Sequence, residues 1–357
     1  MPISKREVDP RPSPRRPARD LVFVSSGLEL DGGGRAAAGR LLADSCARYA
    51  AERGLAFAIL TLGRSQAGLA LEVWRRQLVN RRIALVFDLL GPARVQAYLP
   101  APLRAPYLIP LYGIEVWRTL DRDRRRALEA ATVKFAISDY TVERAGRRRP
   151  EMRGTSVVPL ALEEREPQGQ EDAELLARLG QGFFVIVGRM AATERYKGHD
   201  QLLEALPDRA RLVIAGDGDD RPRLEEKARS LGLGERVFFT GFVSEATLAR
   251  LYERCAAFVM PSRGEGFGLV YLEAMRAGKP CVAARESAAE EVVVDGATGL
   301  LVNPDDPRQL RTALDKLLDD PERARGLGEA GRERWRNDFG TDRFRARLEP
   351  LLERLTG

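Results

Sequence analysis

The feature that most constrains the fold of this chain is an alternation of short, wholly apolar runs with amphipathic stretches, met in two successive series. The first series holds "LVFVSS" (21–26), "LAFAILTL" (55–62), "IALVFDLL" (83–90), "PYLIPLYG" (106–113) and "VKFAIS" (133–138). Runs this short and this apolar read as parallel strands buried on both faces. Between them, "GRAAAGRLLADSCARYAAERG" and "RDRRRALEAA" read as helices. The second series holds "FFVIVG" (183–188), "RLVIAG" (211–216), "RVFFTG" (236–241), "AAFVMPS" (256–262), "CVAA" (281–284) and "GLLV" (299–302). Helical patterns such as "DQLLEAL" and "SEATLARLYERC" separate these strands.

Two consecutive β/α series predict an α/β chain of two Rossmann-like domains facing each other across a cleft. A length of 357 residues accommodates two such cores. The join lies near 160–180, where "ALEEREPQGQEDAE" is polar and acidic. The expected division is a basic N-terminal arm over 1–19, a first domain over 20–162 and a second over 163–338. "RERWRNDFGTDRFRARLEPLLERL" reads as one or two amphipathic helices, and 339–357 is expected to pack back on the first domain. There is no internal repeat of fixed period.

No apolar run approaches the ~18–20 residues of a membrane span. The N-terminal "MPISKREVDPRPSPRRPARD" has basic residues but no apolar core behind them, so it reads as a disordered arm rather than a secretory signal. Cys46, Cys255 and Cys281 are odd in number and far apart, which suggests neither a disulfide framework nor a zinc site. A cytoplasmic protein is expected. Residues 1–150 hold 27 Lys/Arg against 15 Asp/Glu, a formal +12, whereas 151–357 hold 31 against 37, a formal −6. The basic half suits an anionic partner, such as a lipid headgroup, a phosphorylated carrier or an acidic sugar. An Arg-rich solvated surface accounts for the same asymmetry. Nucleic acid is disfavoured, because the basic residues carry no aromatic stacking stripe.

The stretch with most chemistry is "PSRGEGFGLVYLEAMRAGKP", 261–280. A strand ends at "CAAFVMPS", and "LVYLEAMRA" has helical periodicity closed by Gly278 and Pro280. "RGEGFG" is then a strand-to-helix loop at the carboxyl edge of a sheet, where open α/β sheets bind ligands. Gly266 and Gly268 let backbone approach closely, so free N–H groups of the first helical turn meet an anion such as a phosphate. Glu273, about one turn in, suits paired hydroxyls such as those of a ribose. Glu265, ahead of the helix, suits a second polyol. For either acid alone, complementing the helix dipole is an equal alternative; together with both glycines at this spacing they indicate a site. "VIVGRMAATERYKGHD" adds Arg189 and Lys197 in the loop after the first strand of the second series. Two cations there match a diphosphate and the charge of a diphosphate leaving group, although solvated loop cations are the common alternative.

These elements resemble the retaining glycosyltransferases of family 4. The resemblance is carried by Gly188-Arg189, Lys197-Gly198, "AGDG" at 215–218, "GFVSEATLARLY" at 241–252, and Glu265 to Glu273 with seven residues between. It covers nearly all of 183–305. It implies the GT-B fold, with Gly188, Arg189 and Lys197 at the donor diphosphate, Glu273 at the ribose and Glu265 at the donor sugar near its reacting face. It also implies that backbone groups of Phe267, Gly268 and Leu269 line phosphate and sugar, and those of Phe242 and Val243 the base. Gly32, Gly33 and Gly34 fall where the family's Gly-rich loop approaches donor phosphates and acceptor. The resemblance implies no divalent metal and no cofactor beyond the nucleotide-sugar co-substrate.

Departures from the pattern are specific. "PLYGIEVWRTL" (110–120) matches a stretch usually written His-Gly-x-Glu-x-Trp, with Tyr112 in place of the histidine. Glu115 and Ser138, in "SDYT", match positions facing the cleft. "VVPLAL" (157–162) departs from the usual Pro-Asn-Gly. The sole histidine, His199, excludes a His-based metal cluster and leaves no Ser-His-Asp machinery unless it serves itself. "GDGDD" (216–220) reads as a turn with a helix cap rather than a metal site. The expected activity is transfer of a sugar, with retention, from a nucleotide diphosphate to an acceptor hydroxyl on a sugar, lipid-linked or small-molecule acceptor, in glycan, glycolipid or metabolite synthesis. Two alternatives stay open. One is a noncatalytic GT-B subunit that binds nucleotide or glycan. The other is an NADP-dependent oxidoreductase, on the weak fingerprint Gly32-x-Gly34-x-x-Ala37 with Arg64 after the next strand.

Overall fold

The computed structural model describes residues 18–25, 27, 33–61, 66–147 and 149–357. Most of the N-terminal arm, together with Gly32 and Arg64, lies outside the described residues. The first sheet contains β1 (Asp20–Ser25), β2 (Phe57–Thr61), β3 (Ile83–Phe87), β4 (Tyr107–Leu111), β5 (Val133–Ala136) and β6 (Ser156–Val157). The second contains β7 (Phe184–Val187), β8 (Leu212–Ala215), β9 (Val237–Gly241), β10 (Ala257–Met260), β11 (Cys281–Ala284) and β12 (Gly299–Val302). Their orders are β2-β1-β3-β4-β5-β6 and β12-β11-β10-β7-β8-β9, and the strand pairs are parallel. This is the two-sheet α/β architecture expected from the alternating runs.

The scarcity of polar residues inside the strands follows from their coverage. On β1, Leu21 and Phe23 point into one apolar cluster, while Val22 and Val24 point into another on the opposite face of the sheet. With helices on both faces, the central strands β3, β4, β8, β10 and β11 leave no position to water, so period-two alternation disappears there; on the edge strand β2, Ile59 and Thr61 stay exposed.

The chain returns to the first sheet at its end. Helix Thr341–Thr356 buries Phe344, Leu348, Leu351, Leu352 and Leu355 in the same cluster as Leu21 and Phe23. Its last turn is tied down by a 3.0 Å hydrogen bond between Tyr49 Oη and Thr356 Oγ1, and by Arg19 N–H donating to the Thr356 carbonyl at 3.0 Å. Arg53 pairs with Glu349 and with Glu353. The chain therefore crosses between the two sheets twice. The crossings run side by side, with Leu162 N–H donating to the Phe339 carbonyl at 3.1 Å.

All three cysteines are buried free thiols, and burial pushes the Cys255 thiol up to about 12. Among the described residues no helix is long and apolar enough to cross a membrane. His199 opens the helix His199–Ala205, is only 3% exposed, and its Nε2 has no hydrogen-bond partner. Burial, reinforced by the charge of Lys197, lowers its pKa from 6.5 to about 4. The unfolded chain therefore binds a proton that the fold excludes. Stability from the neutral ring is complete above the unfolded value of 6.5 and is lost as pH falls toward about 4. The loss should be roughly 3 kcal/mol. A His199→Gln variant should lose that much less stability between pH 7 and pH 4. Urea unfolding of both proteins across this range checks it, and parallel pH profiles would refute it.

Candidate active site

The two sheets meet through the loops at their carboxyl edges. β10 ends at Met260 and the helix Leu269–Arg276 begins after eight intervening residues, so 261–268 is the strand-to-helix loop anticipated from sequence. Gly268 precedes the helix with φ +92°, a left-handed conformation, and a Cβ there would press on the Tyr271 ring. Gly266 is needed for another reason. A Cβ on it would fall well inside van der Waals contact of the Tyr112 carbonyl oxygen, which comes from the first sheet. The close approach expected at Gly266 is thus made by backbone across the cleft.

Further contacts reinforce this crossing. Ser138, fully buried at the end of β5, donates from Oγ to the Gly266 carbonyl at 2.7 Å. Ser138 also caps the helix Asp139–Gly146, accepting from Thr141 N–H at 3.1 Å. The first free N–H groups of that helix are capped from the other sheet. Asp139 N–H and Tyr140 N–H donate to the Glu291 carboxylate at 2.9 and 2.7 Å. Arg334 holds the backbone there, with Nε donating to the Val292 carbonyl at 3.0 Å. Farther along the cleft, a Cβ on Gly34 would touch Leu269 Cδ1 at 3.8 Å. The N-terminal helix Gly34–Glu52 therefore starts opposite the start of the Leu269–Arg276 helix, and Gly33 ahead of it has φ +128°.

Glu265 and Glu273 are both partly buried in this region. Burial raises the pKa of Glu265, against the nearby positive charge of Lys197 and with the negative charge of Glu194. Glu265 Oε1 accepts a long hydrogen bond from Ser262 Oγ at 3.5 Å. Burial also raises the pKa of Glu273, opposed by Tyr252 Oη donating to its Oε2 at 2.8 Å. Arg189 and Lys197 converge on one carboxylate. Arg189 pairs with Glu194, and Lys197 Nζ lies 2.9 Å from Glu194 Oε2. A Cβ on Gly188 would stand 3.4 Å from Lys197 Nζ, so the lysine lies along the Gly188 backbone.

The remaining expected residues differ in what they expose. The Phe267 ring is 2% exposed and packs edge-on against Phe339 with centroids 5.8 Å apart, which leaves only its backbone for a ligand. Phe242 is 78% exposed just past β9, and Val243 is half-buried. Glu115 turns back on its own chain, where its carboxylate accepts from Tyr112 N–H. Burial raises its pKa against those backbone donors and the charge of Arg35. Burial likewise raises the pKa of the Tyr112 phenol, with Asp88 and Glu115 adding to it. Tyr112 is thus a neutral hydroxyl beside two acids, where a histidine was expected on the resemblance.

Several residues at the cleft had escaped the sequence reading. Tyr196 packs against the site loop: a Cβ on Gly264 would meet its ring at 2.7 Å, and Arg263 N–H donates to its carbonyl at 3.0 Å. Its phenol feels Glu265 and Glu194 of the second sheet and Arg118 of the first. Asp88, buried at the end of β3, accepts from Ser25 Oγ at 3.0 Å. Glu291 is the third. Only the tyrosine had a sequence signal, as the aromatic between the cations of "ERYKG". Among the described residues, no group of three His, Cys, Asp or Glu is placed to hold a metal ion.

Residues 168–334 match the family model described as Glycosyl transferases group 1. A GDP-mannose-dependent alpha-(1-6)-phosphatidylinositol monomannoside mannosyltransferase of Mycolicibacterium smegmatis is 37% identical over 200 residues, 52% of each chain. The chain thus spans about half the length of that relative. The protein of the same name from Mycobacterium tuberculosis is 32% identical over 264 residues, 69% of each chain. Among solved structures, HepE of Anabaena in complex with UDP has a TM-score of 0.72 at 19% identity, covering 94% of this chain and 99% of that one.

The Gly266 crossing yields a direct test. Gly266→Ala should destabilise the protein by about 1–3 kcal/mol through forced displacement of the Tyr112 carbonyl. Gly91→Ala, whose new methyl would meet nothing within 4 Å, should cost far less. Equal urea midpoints for the two variants would show that the crossing is not close-packed.

Proposed function

Because the chain belongs to the glycosyl transferases group 1 family, with the GT-B arrangement of two Rossmann-like units, we propose that it transfers a hexosyl group, with retention, from a nucleotide diphosphate sugar to an acceptor hydroxyl. The observation that carries this reading is the convergence of Arg189 and Lys197 on one carboxylate, in a loop whose Tyr196 and Gly198 pack against Gly264 and Pro261 of the loop that carries Glu265. Anion-binding cations beside a buried acid match a sugar diphosphate, whose anionic and polyol halves need opposite partners.

In this reading Arg189 and Lys197 hold the diphosphate, and the N-terminus of helix Leu269–Arg276 adds its free N–H groups. Glu273 receives the ribose hydroxyls, with Tyr252 steadying its carboxylate. Phe242 and Val243 line the base with their backbone. Glu265 holds the donor sugar beside its reacting carbon. The acceptor hydroxyl attacks that carbon from the face the diphosphate leaves. The C–O bond to phosphate breaks as the new glycosidic bond forms, and the departing phosphate oxygen takes the hydroxyl proton. Retaining glycosidases use an enzyme carboxylate as nucleophile; here the site's cations instead stabilise the leaving charge. No metal is required in this scheme, and the contact between the two sheet edges excludes water from the reacting carbon.

The named donor of the mycobacterial relatives, GDP-mannose, and the UDP bound to HepE make guanosine and uridine diphosphates the first donors to test. A guanosine or uridine diphosphate at ~100 times its dissociation constant should stabilise the fold by about 2.7 kcal/mol. Lys197→Ala should abolish the melting shift. Glu265→Ala should keep most of the shift and lose on the order of 100-fold in kcat with the matching sugar nucleotide. A shift without turnover would favour a noncatalytic binding subunit, with Tyr112 in place of histidine as the reason. A shift with NADPH alone would overturn the transferase reading.

The acceptor side fits a lipid surface. Helix Gln66–Val79 leaves Leu71 68%, Leu78 49% and Val79 78% exposed, next to exposed Arg75, Arg81 and Arg82. Apolar tips among cations suit an anionic membrane face. The protein should sediment with vesicles containing phosphatidylglycerol and be released by salt. Leu71→Ser combined with Val79→Ser should weaken this several-fold, at roughly 1 kcal/mol or more per leucine-sized side chain. Failure to sediment with anionic vesicles would overturn the membrane contact.

A further inference from the structure

The two cations assigned to the donor diphosphate are already occupied by a group of this chain. Arg189 pairs with Glu194 Oε1, and Lys197 Nζ lies 2.9 Å from Oε2 of the same carboxylate. One carboxylate thus serves both cations: Oε1 accepts a hydrogen bond from Arg189, and Oε2, which has no hydrogen-bond partner, is held to Lys197 by charge alone. The Glu194 side chain is 15% exposed and that of Lys197 14%, whereas Arg189 is 62% exposed. The contact between Lys197 and Glu194 is thereby shielded from solvent, and screening weakens it little.

The backbone carrying this carboxylate is anchored on both sides. Met190 N–H donates to the Asp217 carbonyl at 2.9 Å, and Asp220 N–H donates to the Met190 carbonyl at 2.9 Å. Ala192 N–H donates to Asp219 Oδ1 at 2.9 Å, and Arg195 Nη2 to Asp220 Oδ1 at 2.7 Å. On the far side, Gly198 sits at φ +87° with no room for a Cβ beside Pro261. At Glu194 itself the short helix is broken, with φ −120° and ψ 23°. With the loop backbone anchored, departure of the carboxylate from the cations is a matter of rotation about the side-chain bonds of Glu194.

We infer that Glu194 is an internal competitor for the donor: its carboxylate sits on the cation pair of the donor site and must swing out when a diphosphate enters. This rests on the donor-site reading above and adds its regulation. A carboxylate carries one negative charge, less than a nucleoside diphosphate, so the donor wins the exchange but with reduced affinity. The same exchange serves product release, since the returning carboxylate replaces the nucleoside diphosphate on Arg189 and Lys197. Free inorganic anions are kept off the pair by the same charge. A carboxylate that instead only oriented the two cations would give the opposite mutational sign.

The test compares wild type with Glu194→Gln and Glu194→Asp, measuring UDP, GDP and inorganic pyrophosphate affinity by calorimetry. The amide keeps the shape of the side chain without its charge, and the aspartate is too short to reach both cations. Glu194→Gln should bind the preferred nucleoside diphosphate and pyrophosphate roughly tenfold more tightly than wild type. Glu194→Asp should fall between them, and nucleoside diphosphate release from Glu194→Gln should be slower by a similar factor. If wild type binds and both variants bind equally or more weakly, Glu194 is a positioning group and the inference is overturned while the donor site stands. If neither wild type nor variants bind any diphosphate, the inference and the donor-site reading fall together. Folding of each variant is read independently from its melting temperature without ligand.

Discussion

The arrangement of the site depends on one close approach, that of the Tyr112 carbonyl to the α-carbon of Gly266. No other residue type tolerates this contact, and around it gather Ser138, which bonds the Gly266 carbonyl, and Glu291, which caps the helix that Ser138 begins. A buried serine and a helix N-terminus leave polar groups that must find partners. Here those partners come from the opposite sheet. The polar ends of one unit are thus satisfied only when the other unit is in place, and the cleft acquires its shape from this mutual satisfaction.

Within the cleft, charge is balanced locally. Glu194 answers Arg189 and Lys197, Tyr252 answers Glu273, and the charge of Lys197 acts on Glu265. Isolated buried charges would be expensive, and each of these groups instead has a partner within the chain. The basic character of the first unit has a different distribution. Arg144 lies 4.3 Å over the Trp117 ring, and Arg149 donates to backbone carbonyls of 116 and 118, so part of the excess charge is structural. Arg75, Arg81 and Arg82 stay exposed at the surface.

Much of the fold was legible because the strands are uninterrupted apolar runs, a consequence of helices on both faces, and "PSRGEGFG" marked a loop at the carboxyl edge. The shortest strand, Ser156–Val157, was visible only as the start of a strand-like "SVVPL" that Pro159 closes. At the site, the spacing of Glu265 and Glu273 and the two cations were readable, since local sequence sets the loop that carries them. What was not readable involves partners distant in sequence. Glu291 caps a helix 152 residues earlier, and Gly266 meets a carbonyl from another sheet. Glycine at 266 suggested close approach, but composition alone does not say what approaches. Glu194 looked like an ordinary loop acid until the two cations were seen to share it.

The paired crossings between the sheets have a mechanical meaning. Two adjacent strands of chain, joined by the bond between Leu162 and Phe339, form a single narrow pivot, so a change in the angle between the units turns about that line. Phe339, one end of the pivot, packs edge-on against Phe267, whose backbone belongs to the site loop. The pin of the hinge is thus coupled to the jaw it moves. A rotation of the units would reach the site loop from two sides, through this aromatic contact and through the Tyr112 and Ser138 contacts at Gly266, like a lever with its short arm seated in the lock.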